Sequence, residues 1–367
     1  MFDEFETAKE DLPELSEEYK IETDHNANCS FFQRSIMGDT SSPCLSAVLD
    51  PFDQYVIGCY ANGSIKCFDP HGGGLVKTIK KESESNEDPI TSVLRFRPGG
   101  EATDHESVVL TGDMAGSIIK YDVAEGNLTE KIEWTGDEAN SIFSIDYNSN
   151  GRQFASAGLD KIVRIYDDIA MKCVQELDPF KSGHAGHSAR IFCVKFNKQD
   201  PNILISGGWD NTIIIYDIRE KGPVNSIIGA DISGEALDFS DKKILSGSNR
   251  LDKQLQIWDL ESTDLLETIS WNGTGHFKDR EETKVFCCKF FTHTDTNKEY
   301  ILAGGGGVTN EIRIFNESRE PIGVIGDFSR ACYTCDISPI GDSILCAGGD
   351  GVMRLFRLMF GVDMNYD

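Results

Sequence analysis

Residues 204–219 read LISGGWDNTIIIYDIR. An apolar run ends in Ser206-Gly207-Gly208. A Trp209-Asp210-Asn211 turn signal follows, then the β-branched run 212–215, and then an aromatic residue with an aspartate, Tyr216-Asp217. Two short strands joined by a tight turn fit this stretch. The same plan recurs at 154–168, FASAGLDKIVRIYDD, and at 244–260, ILSGSNRLDKQLQIWDL. Working outward, seven strands end in this way: Phe68-Asp69, Tyr121-Asp122, Tyr166-Asp167, Tyr216-Asp217, Trp258-Asp259, Phe315-Asn316 and the degenerate Phe356-Arg357, 41 to 57 residues apart. A self-similar period of about 40–50 residues marks a repeat architecture, whose units are too small to bury their own apolar faces and must stack.

Inside the units an aspartate sits six residues before the aromatic at Asp160, Asp210, Asp252 and Asp350. Asn62 holds that place in unit one, and Ala115 and Thr309 hold it in units two and six. On these residues the chain resembles the WD-repeat family over roughly residues 31–358. The resemblance implies an all-β fold, a seven-bladed β-propeller with four-stranded antiparallel blades, which would consume about 280–340 residues. The last unit ends at strand 353–356, too late for a good outer strand of its own. The segment 31–37, FFQRSIM, stands where an outer strand would precede 44–49, CLSAVL, so it is expected to complete blade seven and close the propeller. The expected division is an acidic, flexible segment 1–28, a propeller 29–358 and a short tail 359–367.

Composition limits the function. The formal charge is −26, from 61 acidic against 35 basic residues, so phosphate backbones and anionic lipid are repelled and basic or Arg-bearing protein segments are attracted. No run approaches the ~18 apolar residues that span a bilayer, and no basic region followed by an apolar core opens the chain. Eleven cysteines, an odd number lying within strands, predict reduced thiols and a cytoplasmic location, with the nucleus left open. The segment 1–28 sets ten acidic residues against Lys9 and Lys20, with Phe2, Phe5, Leu12, Leu15 and Tyr19 among them. It reads either as a solvated leader or as an acidic-hydrophobic motif that folds into a partner's groove. Insertions at 82–88, 99–106, 271–282 and 293–299 lengthen surface loops, where binding specificity tends to lie.

Several motifs invite chemistry. The family resemblance implies a hydrogen-bonded tetrad, which unit four matches with His187, Ser206, Asp210 and Tyr216; the departure is a phenol where an indole N–H would donate. This reading explains a Ser, a His and an Asp better than a hydrolase does. Cys332 and Cys335 superimpose on Ile191 and Val194 of the unit-four strand, and an offset of three in a strand predicts that they face opposite sides as core residues. No second CxxC completes a thiolate metal site, and the glycines 304–307 lack the Lys-Ser/Thr and helix of a phosphate loop, so neither metal nor cofactor is expected. Aligned first strands put Phe143, Phe192, Phe286 and Tyr333 at one recurring position. The family resemblance places it at the mouth of the central channel, where unit four looks like the blade of an arginine-binding propeller that offers a Phe to a guanidinium, an interaction that acidic surroundings favour. Tyr216-Asp217-Ile218-Arg219 resembles the box by which substrate receptors dock on a cullin-type ubiquitin ligase, through Asp217 and Arg219. The expected function is a non-catalytic scaffold within a multi-protein assembly, cytoskeletal or ciliary by analogy of fold; a ligase substrate receptor is the alternative.

Overall fold

The structure, a computed structural model, describes residues 19–24, 27, 29–81, 89–98, 107–136, 140–178, 186–220 and 222–360. Among these residues every regular element is a strand, and the strands form seven antiparallel sheets. Each repeat unit read from the sequence is one sheet. The blades span 44–80, 91–132, 142–177, 191–228, 237–269, 284–326 and 332–360. The chain is thus a seven-bladed β-propeller. Of the four insertions, 82–88 and 99–106 lie outside the described residues.

Burial follows the order of strands within a blade. In blade four Thr212–Asp217 buries Ile213 through Tyr216, because its sheet is covered on both faces by neighbouring blades. The outer strand Pro223–Ile228 exposes Val224, Asn225 and Ser226. Apolar clusters therefore lie between blades: one unites Cys193 and Ile205 of blade four with Leu237 and Ile257 of blade five and Val285 and Phe315 of blade six. No blade owns its core, which is why a single unit would not fold alone.

The propeller closes through its amino-terminal strand. We number the two strands that precede blade one β1 (Lys20–Thr23) and β2 (Cys29–Gly38). β2 pairs antiparallel along Val352–Phe360, from Cys29↔Phe360 to Gly38↔Val352, and supplies the fourth strand of blade seven. Phe31 packs against blade six: a Cβ on Gly323 would sit 2.2 Å from its ring, so a side chain there would have to displace the ring.

One expectation is corrected. Residues 1–28 are expected to form an acidic, flexible segment apart from the propeller, yet β1 within them pairs antiparallel with Pro321–Gly326 and makes blade six five-stranded. The cause is local: Ile21 and Tyr19 pack on the cluster between blades six and seven, and Glu22 meets Arg280 at 2.5 Å. Residues 1–18 lie outside the described residues, as does the tail beyond Phe360.

Candidate functional site

The innermost strands of six blades share one irregularity. Pairing with the second strand skips a residue between Cys44 and Ser46, Thr91 and Val93, Ile142 and Ser144, Ile191 and Cys193, Val285 and Cys287, and Cys332 and Thr334. The residues skipped are Leu45, Ser92, Phe143, Phe192, Phe286 and Tyr333. A bulged residue leaves the ladder and its side chain is re-aimed, which turns the aromatic position toward the channel. The same bulge corrects the reading of Cys332 and Cys335. The extra residue between them restores parity, so both share a face, both are buried, and both thiols meet Cys287 of blade six. They remain core residues, and no group of His, Cys, Asp or Glu able to hold a metal ion occurs among the described residues.

At the turn end of the blades the aromatics gather. Phe143 stacks on Phe192 with centroids 5.0 Å apart and planes at 13°, and Phe192 meets Trp209 at 4.9 Å. Trp209 is 48% exposed, hydrogen-bonds Ser233 through its indole N–H at 2.8 Å, and carries the Arg190 guanidinium 4.7 Å from its centroid. On another sector Tyr333, 38% exposed, lies 6.5 Å from Phe286. A narrow cavity of about 200 Å³ opens between Leu45, Met114, Phe143, Phe192 and Tyr333. Phe286 does not line it and instead backs Tyr333. Sequence reasoning missed Trp209, although it stands in the stretch that decided the fold; its signal was the turn that joins strands two and three beside Phe192.

The floor of this mouth is ionic. Arg95 of blade two reaches across the propeller axis to Glu235, in the connection that enters blade five. Its Nε donates to the Ile145 carbonyl at 3.1 Å and lies 3.3 Å from Asp146. Burial pushes the Glu235 carboxyl up, but Arg95, Lys195 and Lys289 outweigh it and hold the group below the usual carboxylate range. The Arg95–Glu235 bar divides the channel. Beyond it, at the opposite end of the blades, a wide mouth of about 670 Å³ opens.

Blade four brings the expected tetrad together. His187 Nδ1 lies 2.9 Å from Asp210 Oδ2, its Nε2 lies 2.7 Å from the Ser206 hydroxyl, and the Ser188 N–H donates to Asp210 at 2.8 Å. With Nδ1 donating to the carboxylate, Nε2 is left to accept from Ser206. Burial raises the Tyr216 hydroxyl to about 12 against the opposing hydrogen bond with Ser206, so the phenol does take the last place. Burial also works against the Asp210 carboxylate, yet His187 and the Ser188 and Thr212 N–H groups hold it below its ordinary value. The network is buried and fully used in bonding. It is built for structure.

Other blades solve the same problem with a base two residues before the closing aromatic, which sequence reasoning did not single out. Lys66 pairs with Asp39 at 2.7 Å, Arg164 with Asp160 at 2.5 Å, Arg313 with Glu311 at 2.7 Å and Arg354 with Asp350 at 2.8 Å. Three of these guanidiniums also lie over an aromatic ring from the preceding connection: Arg164 over Trp134, Arg313 over Trp271 and Arg354 over Phe328. Blade four, the blade with the histidine, has Ile214 at this position.

Asp217 and Arg219 lie at the far end of blade four from Phe192, since Ile203 pairs with Asp217 there and Ile191 pairs with Gly208 at the turn end. The Arg219 guanidinium is 60% exposed and folds back on Asp217, donating at 2.8 and 2.6 Å. This geometry closes a turn and leaves one edge of the guanidinium to solvent.

Sheet order, closure and the absence of helix among the described residues define a propeller, a platform whose ends present loops and a central channel. The model of the "WD domain, G-beta repeat" matches residues 129–167 and 171–217. Over these residues the chain carries the WD repeat, and proteins built from that repeat are generally interaction modules without catalysis. It is 23% identical over 290 residues to Meiotic fizzy-related protein 1 of Schizosaccharomyces pombe, covering 69% of this chain and 65% of that protein. It is 26% identical over 246 residues to Cell division cycle 20.6, cofactor of APC complex, of Arabidopsis thaliana, covering 65% and 52%. To the Ribosome biogenesis protein WDR12 homolog of Anopheles gambiae it is 25% identical over 177 residues, covering 47% and 40%. The chain thus spans from two fifths to just under two thirds of the length of these relatives.

Proposed function

We propose that this protein is a non-catalytic scaffold that holds a basic, Arg-bearing segment of a partner protein at the narrow mouth. The observation that carries this reading is the aromatic shelf itself: Trp209 stands exposed against the half-buried Phe143–Phe192 stack, and Tyr333 stands exposed on the other side of the mouth, on a chain of net charge −26. Arg190 over Trp209 supports the preference, since the shelf already carries one guanidinium of the chain's own. Phe192 has rings against it on two contacts and Trp209 already carries Arg190, so a partner guanidinium meets the Phe192 edge, the exposed rim of Trp209 and the exposed Tyr333. Membership in a larger assembly draws support from the relative named as a cofactor of the APC complex. A cytoskeletal or ciliary setting rests on the fold alone. Eleven cysteines, none of them in a disulfide among the described residues, support a cytoplasmic location.

The Asp217–Arg219 box gives the second reading, a ligase substrate receptor, and the exposed guanidinium edge is the observation in its favour. Cross-linking of the native chain in extract, followed by mass spectrometry, separates the two. Cross-links from a basic partner concentrated on Lys284, two residues before Phe286 on the same strand, and on the residues around Tyr333 support the shelf. Cross-links confined to the Arg219 end support the box and overturn the shelf.

A further inference from the structure

The wide mouth carries chemistry that the aromatic end lacks. At one equivalent position of the innermost strands the blades present Arg95, Asp146, Lys195, Asp238, Lys289 and Asp336, charges alternating in sign from blade two to blade seven. The three carboxylates are committed to the fold, because each accepts a backbone N–H from the next blade. Asp146 accepts from Phe196 at 2.9 Å, Asp238 from Phe290 at 2.8 Å and Asp336 from Leu49 at 2.9 Å. Arg95 is held by Glu235 and the Ile145 carbonyl, and Lys289 by Asp336.

Lys195 is the exception. Its side chain is 7% exposed and lines the funnel, and its nearest carboxylate oxygen, Asp146 Oδ1, is 3.5 Å away. Among the described residues no hydrogen bond reaches its ammonium. The ammonium lies in the fields of Asp146 and Glu235, yet its three N–H donors are without a hydrogen-bond acceptor, which is costly for a buried group and leaves them to a ligand oxygen. Asp238, from the adjacent blade, uses only Oδ2 for Phe290 and leaves Oδ1 as an acceptor for a neighbouring N–H.

We propose that the wide mouth binds the C-terminal carboxylate of an extended partner peptide, with Lys195 as the carboxylate receptor. A peptide end offers both halves of the match, the carboxylate for Lys195 and the last amide N–H for Asp238 Oδ1. The Arg95–Glu235 ion pair lies across the path beyond the funnel, which favours a chain end over a continuing chain. Its volume of about 670 Å³ is that of an ordinary ligand site, and Phe196, Phe290, Phe291 and Tyr147 supply apolar walls for the terminal side chain. Lys198, 68% exposed beside Asp238, adds attraction at the rim.

The test is saturation-transfer NMR on the full chain with N-acetylated pentapeptides ending in leucine or phenylalanine, as free acids and as C-terminal amides. The acids are expected to bind and the amides to bind about tenfold to hundredfold more weakly, the effect of one hydrogen-bonded charge. Lys195→Met keeps the aliphatic stem and leaves Asp146 paired with Arg95, and it should erase the difference between acid and amide. That comparison on the unaltered protein stands even if the variant fails to fold. Equal binding of acid and amide, binding of neither, or a folded Lys195→Met that keeps the preference overturns the proposal.

Discussion

Replacing Glu311 by alanine removes the carboxylate at the centre of the most deeply buried ionic site. Glu311 is 1% exposed and Arg313 is wholly buried. The carboxylate accepts from Arg313 Nε at 2.8 Å, from the Trp271 indole N–H at 2.9 Å and from Arg280 at 3.3 Å. Burial pulls the Arg313 guanidinium below its ordinary range, against the pull of Glu311, so the protein is already working to keep this charge inside. After Glu311→Ala the guanidinium keeps only the Trp271 carbonyl at 2.8 Å and Asn272 at 2.9 Å. Stranding a buried charge costs about 3–5 kcal/mol. At about 2 °C per kcal/mol for a large domain, the midpoint of thermal unfolding should fall by about 6–10 °C. The reasoning makes a sharper demand on Glu311→Leu/Arg313→Met, which removes both charges and leaves apolar packing. This variant should melt above the single variant, because the penalty belongs to the unpaired charge and not to the lost pair. Calorimetry of the wild type and the two variants decides it. A double variant that melts at or below Glu311→Ala refutes the argument.

A chain starting at residue 25 loses β1 and the Glu22–Arg280 pair and should melt slightly below one starting at residue 19, whereas a chain starting at residue 39 also loses β2 and should melt far lower; equal midpoints for the last two would exclude closure by β2. Asp210 titrates below its unfolded value of about 4, so its contribution is present above that pH and disappears as pH falls through the folded value. Asp210→Asn should therefore lose less stability than the wild type between pH 6 and 3, as read by denaturant midpoints. Tyr333→Ala should weaken an Arg-bearing partner on the order of tenfold without lowering the melting point, whereas Phe192→Ala should lower both, because Phe192 also packs on the core between blades four and five. Isothermal titration beside a melt distinguishes the two outcomes.

The repeat was legible because the closing aromatic and the turn aspartate are local signals, fixed by a strand end and a tight turn. β2 was legible from a counting argument, since blade seven lacked a strand and 31–37 had none to join. β1 was not: four residues with one aliphatic side chain, Ile21, carry no periodicity, and their strand exists only because the edge of blade six and Arg280 are there to receive it. The shared face of Cys332 and Cys335 escaped because a bulge is invisible to strict alternation, although the same bulge aims Phe143 and Phe192. The bases Lys66, Arg164, Arg313 and Arg354 look like solvent-facing positions of alternating strands. Only the stacked blades reveal that both faces are covered and that each base needs its acid.

The pairing of β2 sets how the molecule would yield to a pull on its ends. Cys29 lies opposite Phe360, so tension applied through the two termini reaches the ladder at that single pair and opens it like a zip, one rung after another, toward Gly38 and Val352. Sliding the strands lengthwise would instead break all the rungs at once. The latch is therefore soft in the one direction in which a tether would load it. β1 stands in front of it on the amino-terminal side, pinned to a different blade by its own ladder and by Glu22, and takes the load first. A strand that adds nothing to the count of blades thus serves as the anchor that spares the clasp.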